Sequence, residues 1–279
     1  MTIGFIETTV LTDYLLKKDG SESAARRLFE RFDALQIPQF SWKEFKRGPL
    51  ANFVWAYNKL KETNSFLDTV AALQRMSRSP RRYLTSTAIQ ALHTSFTELF
   101  SGATLGDLSK RYGEKANLDL MHADALRLEI KRAIYASWGR RRSLYGGPTQ
   151  KLSCYKDIDL NEVKSRINIE PRDCPANTEC CLRDRLRGRE ADLSAARAAL
   201  KSDEKRIETG RRINALRHIE KHKSSPMTRE ECRRFGDAYF ALFCPNGGTI
   251  LTTNVRDIEP MASAVGIAVA APAPLTRAQ

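Results

Sequence analysis

Four acids stand where a carboxylate needs explaining. Glu7 closes the apolar run Ile3-Gly4-Phe5-Ile6, and Glu44 follows the second such run, Leu35-Gln36-Ile37-Pro38-Gln39-Phe40. Asp237 lies in Gly236-Asp237-Ala238-Tyr239-Phe240-Ala241, and Asp257 follows Thr249-Ile250-Leu251-Thr252-Thr253-Asn254. Clustered carboxylates repel one another and an unpaired buried charge is costly, so such a cluster persists when it holds a hard cation. Mg2+ or Mn2+ suits an all-oxygen ligand set, neutralises the charge of a phosphate and activates water. The chemistry in view is metal-assisted hydrolysis of a phosphodiester.

These acids can act together only if the chain's elements converge. Residues 2 to 7 read as a strand, and Val10, Leu11, Tyr14 and Leu15 give the next segment the spacing of a buried helix face. A second helix fits Glu22 to Leu35, a short strand Leu35 to Phe40, and a third helix Ser41 to Leu60, bent or interrupted at Pro49. Near the other end, Thr228-Arg229-Glu230-Glu231 opens a helix over Met227 to Cys244 with a capping-box pattern, and Pro245-Asn246-Gly247-Gly248 stops it. Thr249 to Thr253 is a β-branched strand, Ile258 to Ala264 a short helix and Val265 to Ala270 a last strand. Strand and helix alternating at both ends predicts an α/β fold, a parallel sheet covered by helices with its chemistry at the carboxyl ends of the strands. Glu7, Glu44 and Asp257 fall near those ends, and a helix packed beside them brings in Asp237.

The stretch between is mainly helical and basic. The chain has 279 residues and a net charge of +13, of which +2 falls in 1–60, +11 in 61–225 and none in 226–279. The domain reading is a core of 1–60 with 226–270, an insertion of 61–225 and a disordered tail of 271–279. A basic segment of this kind is an electrostatic footprint for a polyanion, with a merely solvated arginine-rich surface as the bland alternative. Helices are predicted over Thr87 to Phe100 and over Asn117 to Trp138, the latter ending at Gly139 just before Arg140-Arg141-Arg142, which the reading assigns to substrate. Ile167-Asn168-Ile169 is a candidate further strand of the sheet. From Glu179 to His222 the pattern predicts one long helix, weakened at Gly188 and bent at Gly210. Its seam of Leu186, Leu193, Leu200 and Ile207 would pack on one partner helix, within the chain or across a homo-oligomer. No apolar run approaches the ~20 residues of a membrane span, and no signal-peptide pattern opens the chain. All six cysteines lie in the C-terminal half without Cys-x-x-Cys spacing, so reduced thiols and a cytoplasmic setting are expected.

The acid-bearing segments resemble the PIN-domain ribonucleases. Phe5-Ile6-Glu7-Thr8-Thr9-Val10-Leu11 is similar to that family's opening strand and turn, hydrophobic-hydrophobic-Asp-Thr-Asn-hydrophobic-Leu, with Glu in place of Asp and Thr in place of Asn. Ile37 to Phe45 is similar to its second strand and glutamate-bearing helix. Gly236 to Ala241 followed by Thr249 to Ile258 is similar to its third-acid helix and the strand ending in Thr-Asn-x-x-Asp. The resemblance covers roughly 1–60 and 226–270. It implies a PIN-like three-layer α/β/α fold and a Mg2+- or Mn2+-dependent endoribonuclease, hydrolysing phosphodiester bonds by in-line attack of a metal-activated water, with RNA the favoured nucleic-acid partner and DNA the alternative. It implies Glu7, Glu44, Asp237 and Asp257 as metal ligands, Thr253 and Asn254 as shapers of the strand-end turn that face a ligand or phosphate, and a toxin, stress or antiviral-defence setting. The alternative is a PIN-like module whose Glu-Thr-Thr opening no longer supports catalysis and which binds nucleic acid or a regulatory protein.

Each acid also has a plainer reading. Glu44 completes a capping box with Ser41, Asp257 favours the positive end of the following helix, and Asp237 pairs with Arg233 or Arg234. Asp124, in Met121-His122-Ala123-Asp124-Ala125-Leu126, is a rival for the third acid. Asp13 either assists the site or is a surface acid.

Overall fold

A computed structural model describes residues 1–16, 20–77, 118–141, 144, 149–155, 159–170, 181–203, 206–222 and 227–273. The helix predicted over Thr87 to Phe100, Arg142, the side chain of Arg141 and residues 274–279 of the tail lie outside them. The central sheet has four parallel strands in the order β2 (Ala34–Gln36), β1 (Ile3–Ile6), β5 (Gly248–Leu251), β6 (Ala268–Ala270). The first strand of the chain is therefore central, paired on one side with a strand some 245 residues later. Gly4 makes this close approach possible: a Cβ there would stand 2.8 Å from Leu35 Cδ2 and 2.9 Å from Leu251 Cδ1.

Side chains alternate across a strand, and two apolar layers follow. Ile6 and Leu251 face one layer with α1 (Thr8–Leu16), α2 (Ser21–Phe29), α4 (Ala51–Thr63), α5 (Phe66–Ser77) and α6 (Leu118–Arg141). Phe5 and Ile250 face the other, with Phe40 of α3 (Gln39–Phe45), α8 (Glu190–Ala199), α9 (Ile207–Lys221), α10 (Arg229–Phe243) and α11 (Val255–Ala264). The fold is α/β with helices on both faces of a parallel sheet. Described parts of 61–225 share these same two layers rather than building a core of their own: α6 packs on α1 and α4, and α8 and α9 pack on α10 and α11. Among the described residues no helix is long and apolar enough to cross a membrane.

Several expectations are corrected. The second helix stops at Phe29, and the helix expected from Ser41 starts at Gln39; its expected interruption at Pro49 takes the form of one π turn, Lys46–Leu50. Proline has no N–H to give and its ring crowds the preceding turn, which the wider turn relieves. Helix α6 runs through Gly139 to Arg141. Ile167 belongs to a separate antiparallel hairpin, β3 (Asp159–Val163) and β4 (Arg166–Glu170), and not to the main sheet. Asn58 of α4 holds it there, donating Nδ2–H to the Ile167 carbonyl (2.8 Å) and accepting the Ile167 N–H (2.9 Å).

The long helix from Glu179 is four pieces: α7 (Cys181–Arg185), α8, a 3-10 turn at Leu200–Asp203 and α9. Gly188, at φ +81°, turns the chain between the first two. Leu186, Leu193 and Leu200 are buried in the second apolar layer, so the seam is satisfied within the chain, while Ile207 is 73% exposed.

Candidate functional site

The site lies where β1 and β5 end side by side. Glu7 continues their ladder, giving its N–H to the Leu251 carbonyl at 3.0 Å, and its side chain is only 4% exposed. Three donors converge on its Oε2: the Thr9 N–H at 2.9 Å, the Thr252 hydroxyl at 2.9 Å and the Thr9 hydroxyl at shorter range. The same hydroxyls work backwards, Thr9 accepting the Thr253 N–H at 3.0 Å and Thr252 the Asn254 N–H at 2.9 Å. This threonine lattice ties the two strand ends together and fixes the direction of the Glu7 carboxylate.

Glu44 arrives from α3. Ser41 is inside that helix and donates its hydroxyl to the Ile6 carbonyl at 2.7 Å, so the capping box read from Ser41 and Glu44 does not form. Anchored to the end of β1, the helix presents Glu44 one turn later, where its Oε2 accepts the Thr8 hydroxyl at 2.6 Å. Its Oε1 lies against α10 at Gly236, where a Cβ would come within 2.5 Å of it. Gly236 is thus a notch for a carboxylate. Glu44 also lines a cavity of about 260 Å3 with Phe40, Lys43, Arg47, Cys232 and Arg233.

Asp237 follows the notch on α10, a helix whose Thr228–Glu231 capping box is complete. Its partner is neither Arg233 nor Arg234, which pair with Glu230, but Arg212 of α9: Nη2 stands 2.5 Å from Asp237 Oδ2 and 3.6 Å from Asp257 Oδ2. Asp257, in the first turn of α11, also meets Arg206 at 3.3 Å. The fourth acid therefore joins the others through arginine.

Electrostatics bind the first three acids into one unit. Burial pushes the Glu7 carboxyl up to about 7, the Asp237 charge adding to the rise while the Thr9 and Thr252 hydrogen bonds oppose it. Burial pushes Glu44 up to about 8, against the Thr8 hydrogen bond and with the Glu7 and Asp237 charges adding. Asp237 is raised by burial, with Arg212 opposing and Asp257 adding. Each of the three has one oxygen on a protein donor, while Glu7 Oε1, Glu44 Oε1 and Asp237 Oδ1 have no hydrogen-bond donor among the described residues. Among those residues no group of three or more His, Cys, Asp or Glu side chains is already arranged to hold a metal ion. The donor set is all oxygen, mutually repelling and half unused, which fits a hard divalent cation.

Other expected residues fall elsewhere. Arg140 bonds to Glu22 (3.1 Å) and to the Tyr14 carbonyl (3.4 Å), at the far end of α1 from Glu7. Asp124 pairs with Arg127 on α6 at 2.5 Å, and Asp13 is buried rather than a surface acid. Thr253 and Asn254 shape the turn through their backbone N–H groups, the Thr253 side chain being exposed. Sequence reasoning passed over Thr8, Thr252, Gly236, Arg206 and Arg212. The threonines and the glycine adjoin the acids in sequence; nothing local marks the two arginines. No family model, curated protein or solved structure matches this chain.

Proposed function

We propose that the protein is a PIN-like, Mg2+- or Mn2+-dependent endoribonuclease. The observation that carries this reading is the trio Glu7, Glu44 and Asp237: three carboxylates at the carboxyl end of a parallel sheet, each raised by burial and by its neighbours' charge. Glu7, Glu44 and Asp237 would hold the cation, with Asp257 beside them. When bound, it supplies a Lewis acid for phosphate oxygens and a more acidic water. The threonine lattice holds Glu7 in place, Thr8 and the Gly236 notch position Glu44, and Arg47 puts positive charge in the cavity beside Glu44, where a phosphate of an RNA strand would meet it. The test is cleavage of labelled single-stranded RNA and DNA in Mg2+, Mn2+ and EDTA. Metal-dependent scission of RNA in preference to DNA is the expected result, and an inert protein in both metals refutes the reading. A second reading, binding without catalysis, is favoured by Arg212, which already neutralises Asp237; RNA retention without scission in any metal is its signature.

Gly236→Ala tests the geometry separately from the fold. Its Cβ meets the far end of a flexible side chain, so Glu44 swings aside at little cost in stability, while alanine favours the helix by up to ~1 kcal/mol. The expected outcome is a melting temperature close to wild type with RNA cleavage lower by about a hundredfold, the usual order for a catalytic group misplaced by ~1 Å. Unchanged cleavage would remove Glu44 from the site.

A further inference from the structure

Two arginines of α9 reach the acids that the basic stretch was expected to serve through Arg140 to Arg142. Arg212 is 14% exposed, and its Nη2 meets both Asp237 and Asp257. Among the described residues its Nε and Nη1 make no hydrogen bond, so both keep donors for a further acceptor. Arg206, at the head of the same helix and 38% exposed, stands on Asp257. Holding α9 to the core does not require them, because Ile213, Leu216 and Ile219 already bury α9 in the second apolar layer. A guanidinium is always charged, is less strongly hydrated than an ammonium and matches phosphate in shape, so it moves between carboxylate and phosphate oxygens without a change of protonation.

We propose that Arg212 is the phosphate-binding residue of this site. Its guanidinium supplies the positive charge between Asp237 and Asp257. With Asp237 engaged in holding a divalent cation, the guanidinium would pass to a non-bridging oxygen of the RNA phosphate, held between α9 and the strand ends. The inference rests on the nuclease reading for its choice of ligand. Its physical core is a competition between one side-chain cation and one metal ion for Asp237.

Titrating the full chain with Mn2+ alone by calorimetry measures the competition without any turnover. Arg212→Ala is expected to bind Mn2+ about tenfold more tightly than wild type, the order of one charge-assisted hydrogen bond removed from the ligand. Anisotropy of a labelled single-stranded RNA, with Ca2+ in place of Mn2+ to slow scission, should show the same variant binding RNA about tenfold more weakly. Arg212→Lys keeps the charge without the fork and should fall between, which keeps the test open if the alanine variant does not fold. Unchanged or weaker Mn2+ binding in both variants overturns the competition, and unchanged RNA binding overturns the phosphate role. If wild type never cuts RNA while both arms come out as expected, the nuclease reading falls and the phosphate role of Arg212 stands.

Discussion

Asp237→Asn is expected to fold normally and to lose metal-dependent RNA cleavage by on the order of a hundred- to a thousandfold, the usual cost of removing one charge-stabilising group. Asparagine keeps the shape and one acceptor oxygen but removes the charge that lifts Glu7 and Glu44, so both carboxyls ionise at lower pH in the variant. The fold should survive because Arg212 retains Asp257 at 3.6 Å. Single-turnover cleavage in Mg2+ beside urea denaturation measures both quantities. Asp124→Asn is the control: its partner is Arg127, and cleavage should match wild type. Wild-type rates in Asp237→Asn would remove this acid from the chemistry, and loss of cleavage together with loss of folding would make it structural.

The second large effect is on stability without metal. The ordinary pKa of Glu7 and Glu44 is 4.5, and the folded protein raises them to about 7 and about 8. Below pH 4.5 both carboxyls are protonated folded or unfolded, and their burial is compatible with the fold. Above it the unfolded chain releases protons that the folded protein retains, so stability falls with rising pH and is lost through 7 and 8. The slope approaches ~1.4 kcal/mol per pH unit for each group. In EDTA, the denaturation midpoint should fall steadily from pH 5 to pH 8, and Mg2+, which favours the ionised forms, should flatten the decline. Glu7→Gln with Glu44→Gln should flatten it with no metal present. A midpoint that rises over this range would contradict the burial of these carboxyls.

The sequence carried the alternation of strand and helix at both ends, the capping box at Thr228 and the positions of the four acids, because each is written in a few neighbouring residues. What it did not carry is relational. Leu186, Leu193 and Leu200 recur every seven residues although three separate pieces of chain supply them; one apolar layer collects all three, and a period alone cannot tell a continuous helix from a folded one. Ile167 has the composition of a sheet strand, yet the Asn58 amide offers its backbone a partner away from the sheet. Arg212 is one arginine in a charged stretch until α9 is laid against α10. Charge density located the basic segment, and tertiary packing decided which of its guanidiniums reaches an acid.

The pairing of β1 with β5 has a consequence for synthesis. During translation Glu7 and Glu44 emerge well before Asp237 and the strand that lies beside β1. Non-local parallel pairing is slow, because a long loop must close before any contact rewards it. A nascent chain that stops before β5 therefore holds Glu7 and Glu44 without the other strand end that faces them. The order of the strands works as a timer: the carboxylates converge only when β5 has been made and folded back onto β1.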